Sequence, residues 1–229
     1  MALNAKTAAG SKGPAVEPLE AGSFPSRLVA VVDLGLQPQR PYQGQEKSPA
    51  YEILTIYELV DEFLKNEEGE DDLEKPRWMS ESFPLHNLSQ EMAKSTKRYK
   101  SIDPQLTYDG NWPDLLDIPV SVTVIQNPGK GANAGKVYNN ISAVSPMRGK
   151  DANRCPPLVN KPMVFDLDDP DLDVFNNLPQ WIQNRIKENL EFAGSRLEKL
   201  LGSKPAQAKQ EPAANDDLDE ERLDDEAPY

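Results

Sequence analysis

The stretch from Ile118 to Gln126, IPVSVTVIQ, alternates apolar and polar side chains more clearly than any other part of the chain. Val120, Val122 and Val124 share one face at this spacing, which indicates a β-strand buried on one side. The loop NPGKGANAG (127–135) follows, and KVYNNISAV (136–144) is a second strand candidate. Because glycine and asparagine favour tight turns, the three segments together predict a β-hairpin.

Three earlier segments are rich in β-branched and aromatic residues and are also predicted strands. They are RLVAVVDLGL (Arg27–Leu36), YEILTIYELV (Tyr51–Val60) and RWMSESFPL (Arg77–Leu85). The acidic segment NEEGEDDLE (66–74) is predicted to be a solvated turn, and Leu88–Tyr99 a short helix with Ser89 as its N-cap. Five strands with a helix between the third and fourth match the strand count and helix position of an OB-fold barrel. The predicted fold is therefore mainly β with minor α.

The other segments surround this OB-like core, which we place at residues 26–150. Residues 1–25, rich in Ala, Gly, Pro and Ser, predict a loose N-terminal extension. Residues 151–202 contain a Pro-rich crossing and an amphipathic helix from about Pro179 to Leu201 that packs on the core. The apolar stripe of that helix consists of Ile182, Ile186, Leu190, Ala193, Leu197 and Leu200. Residues 203–229 have little to bury and predict a disordered acidic tail.

The net charge of −13 is unevenly distributed along the chain. From Glu211 to Tyr229 there are nine acids against Arg222 alone, a net charge of −8. In contrast, six Lys and Arg face only Glu81 and Glu91 between Lys75 and Lys100, and no acid occurs between Ile118 and Lys150. Such positive stretches can bind a polyanion even when the whole protein is acidic.

Several protein classes have little support in the sequence. Cys155 and His86 are the single cysteine and histidine, so no intrachain disulfide is expected and a Cys–His catalytic pair or a zinc site is disfavoured. FDLDDPDLD lacks the Gly and Glu of a calcium loop, and GKGANAGK lacks the spacing of a phosphate loop. We expect no catalytic residue, metal or cofactor. Without a membrane span or a signal peptide, the expected location is the cytoplasm.

Cations interleaved with aromatic residues are the pattern needed to bind a single nucleic-acid strand, because cations follow the phosphates and flat rings stack on bases. This chain has such residues in the first long loop, on the third strand, at the helix and around the last hairpin. The candidates are Arg40, Tyr42, Arg77, Trp78, Lys94, Lys97, Arg98, Tyr99, Lys100, Lys130, Lys136, Tyr138 and Arg148.

The C-terminal residues LDDEAPY resemble the acidic tip of bacterial single-stranded DNA-binding proteins, with acids followed by Pro and a terminal aromatic ring. The candidate partner-binding residues are Asp224, Asp225, Glu226, Pro228 and Tyr229. A ring and a free carboxylate suit a basic-rimmed apolar pocket on a partner, and the acids steer the tip towards it.

About residues 1–200 resemble tailed-bacteriophage single-stranded DNA-binding proteins. The resembling segments are MALNAKTAAGSKGPAVEPLEAGSFPSRLVAVVDLGLQPQRPYQGQ (1–45), KSTKRY (94–99), NPGKGANAGKVYNNISAVSPMR (127–148), CPPLVNKP (155–162) and FDLDDPDLDVFNNLPQWIQ (165–183).

The resemblance implies a non-enzymatic protein that coats and protects single-stranded DNA during phage DNA replication or recombination, in the host cytoplasm. Its tail would recruit replication or recombination proteins and compete with DNA for the basic surface. Whether copies associate into homo-oligomers stays open. The rival hypotheses are a metal-dependent nuclease that uses scattered carboxylates and an acidic structural or chaperone-like interaction protein.

Overall fold

The computed structural model describes residues 17–41 and 44–203, and they form a mainly β structure with short helices. The strands are β1 (Gly22–Gln37), β2 (Ala50–Lys65), β3 (Asp71–Pro84), β4 (Pro119–Pro128), β5 (Val137–Pro146) and β6 (Met163–Phe165). The helices are α1 (Lys94–Ile102), α2 (Gly149–Ala152), α3 (Leu172–Asn177), α4 (Gln180–Lys187) and α5 (Arg196–Ser203), and short 3₁₀ turns cover Trp112–Leu115 and Gly131–Asn133.

Five strands form an antiparallel sheet in the order β3-β2-β1-β4-β5. Along one edge, strand β1 pairs with β2, and along its other edge it pairs with β4 and then with β6. Its first part, Gly22–Arg27, pairs with β4, and its later part, Ala30–Val32, pairs in parallel with the short β6. The five predicted strands and the helix between β3 and β4 are all present, whereas β6 was missed because three residues carry too little periodicity to detect.

Two hydrophobic clusters lie on opposite faces of β1 and β2. The inner cluster packs Tyr57, Phe83 and Val122 against α1 and the Trp112 turn. The C-terminal cluster packs the other face of β1 against β6 and helices α3 to α5. Consecutive residues Leu28 and Val29 are therefore both fully buried, in different clusters. This explains why β1 has a continuous apolar run instead of an alternating pattern.

The sheet is open in the described residues, where no hydrogen-bonded ladder joins β3 to β5. Helix α1 lies beside both of these edge strands. Its Arg98 donates to the Glu81 carboxylate in β3 and to the Ser142 carbonyl in β5. The helix thus bridges the gap that a closed barrel would fill with strand pairing.

The single amphipathic helix predicted over Pro179–Leu201 is wrong, because the structure has two short helices separated by a turn. At the break, the amide of Leu190 donates to Leu36 O in β1 at 2.9 Å, and Asn189 Nδ2 donates to Ile186 O. The Leu190 amide therefore bonds to a carbonyl of β1 instead of to a carbonyl of the preceding helical turn, and the helix does not continue. Gly194 follows with φ of +83°, and Leu190 is 55% exposed.

Element boundaries also differ from the sequence predictions. Strand β1 begins at Gly22, inside the segment predicted to be a loose extension, and β3 begins at Asp71, inside the predicted acidic turn. Helix α1 begins at Lys94 instead of Leu88, and Ala93 stands at its N-cap. Ser89 lies in the preceding turn, where its backbone amide donates to Asn87 Oδ1. No helix among the described residues is long and apolar enough to cross a membrane.

Candidate nucleic-acid interface

The outer side of β4, β5 and the first part of β1 forms a continuous surface, which we call the hairpin face. Strand alternation places the buried valines of β4 inward and the intervening residues outward. The register aligns these outward residues across the three strands. The hairpin face consists of Ser23, Pro25, Ser121, Thr123, Ile125, Asn127, Tyr138, Asn140, Ala143 and Ser145, all at least partly exposed.

The hairpin face carries no charged side chain, and most of its residues are polar. Ser23 and Thr123 stand opposite each other, and their hydroxyls share a hydrogen bond of 2.9 Å. Ser121 is paired with Ser145, and Ile125 with Asn140. A surface of this kind can accept sugar and base edges without repelling phosphate.

One end of the hairpin face is the turn between β4 and β5, which carries Lys130 and Lys136. Both side chains are exposed, and Gly129 N donates to Lys136 O at 2.9 Å to close the turn. The ring of Tyr138 packs directly on Gly129, because a Cβ placed there would lie 2.9 Å from Tyr138 Cε2. Glycine at this position therefore leaves room for the tyrosine ring against the turn that carries the two lysines.

The opposite end of the hairpin face lies where β5 runs into α2. Arg148 is exposed there and its Nε donates to Asp151 Oδ2 at 3.2 Å. Nearby, Arg27 donates to the carboxylate of Asp117 and to the carbonyl of Cys155, both at 3.0 Å. Strand β5 spans ten residues, so these cations lie about 30 Å from the lysines of the turn at roughly 3.3 Å per residue.

The cations of α1 form a separate group on the other edge of β5. Arg98 and Lys94 both contact Glu81, and Lys94 also lies over the Phe83 ring. Lys97 is exposed, and Lys100 pairs with Glu91 at 3.3 Å. Helix α1 therefore presents Lys97 and Lys100 to solvent, while Arg98 is directed into the protein.

Besides Arg98, two aromatic residues of the predicted site have side chains that pack inside the protein. Tyr99 is fully buried, its ring meets Trp112 edge to face, and its hydroxyl accepts from Gly110 N. Burial raises the pKa of the Tyr99 phenol above its usual value. Trp78 lies against the C-terminal cluster and donates its indole N–H to Glu58 at 3.2 Å.

Glu58 also fixes the Pro-rich crossing to the sheet. The Glu58 residue is fully buried. Its carboxylate accepts hydrogen bonds from the backbone amides of Val159 and Asn160 and from Asn160 Nδ2. The indole of Trp78 is therefore part of a satisfied polar network under the crossing, away from the hairpin face.

The remaining predicted residues are scattered or not described. Arg40 is exposed in the loop between β1 and β2, and Arg77 is half-buried on β3. Tyr42 lies outside the described residues, as do the tail residues Asp224, Asp225, Glu226, Pro228 and Tyr229. The structure thus brings together Lys130, Lys136 and Tyr138 at one end of a single face, with Arg148 at its other end.

Sequence reasoning missed the uncharged residues that make the hairpin face continuous. The alternation that identified the three buried valines also identifies Ser121, Thr123 and Ile125 as the opposite side of the same strand. The alternation therefore indicated these residues, but they are neither cationic nor aromatic and so do not match the pattern expected for binding a nucleic-acid strand.

Among residues 17–41 and 44–203, no group of three His, Cys, Asp or Glu side chains is arranged to hold a metal ion. No family model, no curated protein and no solved structure was found to match this chain.

Proposed function

We propose that this protein binds single-stranded DNA through the hairpin face and acts without catalysing a reaction. One observation carries the proposal: from Ile118 to Lys150 the chain has no acid, and it folds into an uncharged polar face with Tyr138 on it and cations at both ends. A strand laid along β5 would meet cations at its phosphates and a ring at a base, the two contacts that sequence-tolerant binding uses.

The strand count and the position of the helix also support the proposal. The five-stranded sheet, left partly open and carrying a helix between β3 and β4, is compatible with a partly open OB barrel. In OB folds, the loops after the first and fourth strands commonly contact the nucleic acid. Here these loops carry Arg40 and the two lysines of the β4–β5 turn.

The biological role follows from the resemblance of the sequence to phage single-stranded DNA-binding proteins. The protein would coat transient single strands during replication or recombination and protect them. Its acidic tail, which lies outside the described residues, would recruit replication or recombination proteins.

A salt titration with a charge-matched control tests the proposal. Fluorescence anisotropy of labelled oligo(dT) should show tight binding that weakens with salt, with a log–log slope of about −0.7 per phosphate contacted. Replacing Lys130 and Lys136 together by Ala should weaken binding and make the slope shallower. The control replaces Lys65 at the end of β2 and Lys75 in β3, away from the hairpin face. Lys65 pairs with Asp71, and Lys75 pairs with Asp72. This control changes the net charge equally and should leave the slope unaltered.

Substitutions of Tyr138 test the stacking contact. Tyr138→Phe keeps the ring and should bind like the parent, whereas Tyr138→Ala should lose about 1 to 3 kcal/mol of binding free energy. Wild-type protein that binds neither oligo(dT) nor oligo(dC) would overturn the proposed function. Cleavage of the labelled oligonucleotide in the presence of Mg²⁺ would favour a nuclease instead.

A further inference from the structure

An open depression of about 310 Å³ lies at the α2 end of the hairpin face. It is formed where β1, β4 and the end of β5 meet the start of α2. Its lining includes Ser23, Pro25, Ser121, Pro146 and Met147, with the Arg148–Asp151 pair at its rim. The volume falls at the lower end of the range of about 300 to 1,000 Å³ that small-molecule sites occupy.

The lining of this depression has apolar walls and uncharged polar groups. Pro25 and Pro146 supply ring surfaces, and Met147 adds a polarizable, partly buried side chain. The hydroxyls of Ser23 and Ser121 can each donate or accept a hydrogen bond. An uncharged flat ring with a polar edge suits such a lining better than an ion or an aliphatic chain.

The rim of the depression adds one donor group and one acceptor group. The Arg148 side chain is 91% exposed and the Asp151 side chain 54% exposed, so their ion pair is open to exchange with a ligand. A phosphate would pair with the guanidinium of Arg148 in place of Asp151. The Asp151 carboxylate, which only accepts hydrogen bonds, would then be available to an amino group.

We infer that this depression holds one nucleobase of the bound strand, and that Asp151 favours bases with an exocyclic amino group over thymine. The inference rests on the proposed function, because Ser23, Pro25 and Ser121 belong to both the depression and the hairpin face. A carboxylate accepts from the N4 amino group of cytosine, whereas thymine offers a carbonyl oxygen at the corresponding position. The base would pack against Pro25 and Pro146 with its amino group at Asp151, and the Arg148 side chain, released from Asp151, would turn outward to a phosphate of the strand.

The test is the ratio of affinities for oligo(dC) and oligo(dT) of equal length, at slightly alkaline pH. Removing an acid strengthens binding to any polyanion, but it acts equally on the two oligonucleotides and cancels in the ratio. Asp151→Ala should therefore shift the ratio about five- to tenfold towards oligo(dT). The matched control Asp169→Ala removes a surface acid that pairs with Arg196 outside the hairpin face, and should leave the ratio unchanged.

A second variant tests the cavity without altering charge. Ser121→Leu fills the depression and should shift the ratio in the same direction, whereas Ser89→Leu, at an exposed position in the turn before α1 and outside the hairpin face, should not. Ratios in Asp151→Ala and Ser121→Leu equal to that of the wild type would overturn the inference while leaving the proposed function intact. If the wild-type protein binds neither oligo(dC) nor oligo(dT), the proposed function itself is overturned.

Discussion

Arg98 in α1 and Glu81 in β3 form a two-bond ion pair, with 2.6 Å from Nε to Oε1 and 3.1 Å from Nη2 to Oε2. The two side chains are only 11% and 6% exposed. The same guanidinium donates to Ser142 O in β5 at 3.3 Å. One side chain thus connects the helix to both open edges of the sheet.

Arg98→Ala should destabilise the protein by about 3 to 5 kcal/mol, because Glu81 would keep a buried charge with only the half-exposed Lys94 beside it. Chemical denaturation measures this loss. The double variant Arg98→Met/Glu81→Leu should recover most of the stability, since no buried charge is left unpaired and Lys94 is half-exposed to solvent. A single variant as stable as the parent would show that the pair is not needed to hold α1 in place. Lys100→Ala, which removes only a solvent-exposed pair with Glu91, is the control and should unfold like the parent.

Trp78→Ala should also cost stability, by up to about 3 to 5 kcal/mol, because it removes a large, partly buried ring that packs against the C-terminal cluster. Trp78→Phe keeps most of the packing but leaves Glu58 with one hydrogen bond fewer, so it should lie between the parent and the alanine variant. Neither folded variant should lose affinity for oligo(dT). Tyr138→Ala should show the reverse pattern, with weaker binding and little loss of thermal stability. A Trp78→Phe protein that melts normally and binds DNA poorly would place the indole in the interface.

Asp33→Asn should stabilise the protein at neutral pH. Burial raises the pKa of Asp33 above its usual 3.8, and Asp166 and Asp168 add to the effect. A carboxyl whose pKa is raised by folding binds its proton more tightly in the folded state, so its charged form disfavours folding above that pKa. Asparagine removes the charge and can still accept from Gly35 N, as Asp33 Oδ1 does at 2.8 Å.

The stability gained by Asp33→Asn should shrink as the pH falls through the raised pKa of Asp33, since the wild-type carboxyl then becomes neutral as well. Thermal melts at a series of pH values measure this trend, with Asp109→Asn, an exposed loop substitution, as the control. A gain that stays constant into acid would contradict the electrostatic explanation.

Deleting Glu211–Tyr229 should tighten DNA binding, most clearly at low salt, because the deletion removes a net charge of −8 that competes with phosphates. Tyr229→Ala keeps those charges and should leave DNA affinity nearly unchanged, while it weakens capture of replication enzymes. Equal affinities of the full-length and truncated proteins at low salt would rule out competition by the tail.

Much of the sheet could be predicted from the sequence because its strands carry strong local signals. The alternating valines of β4 and the apolar runs of β1 and β2 each identify a strand, and glycine marks the β4–β5 turn. The break between α4 and α5 could not be predicted in this way, since it depends on the Leu190 amide bonding to Leu36 O, a contact between distant parts of the chain.

The candidate site was predictable in part for a related reason. Residue type indicated Lys130, Lys136 and Tyr138, and the fold places them together. Residue type alone could not distinguish the exposed Lys97 from the neighbouring Arg98, which is buried by its pairing with Glu81. Sequence also gave no sign that Trp78 lies beneath the Pro-rich crossing, because its partner Glu58 is twenty residues away.

The length of β5 sets a minimum size for a ligand that uses the whole hairpin face. With cations grouped at the two ends of the strand and none on the face between them, a short oligonucleotide reaches one group and a longer one reaches both. Affinity should therefore rise in a step with chain length instead of smoothly. Gaps between neighbouring bound copies that are shorter than this threshold would stay uncovered, so the strand β5 also determines how completely a long single strand can be coated.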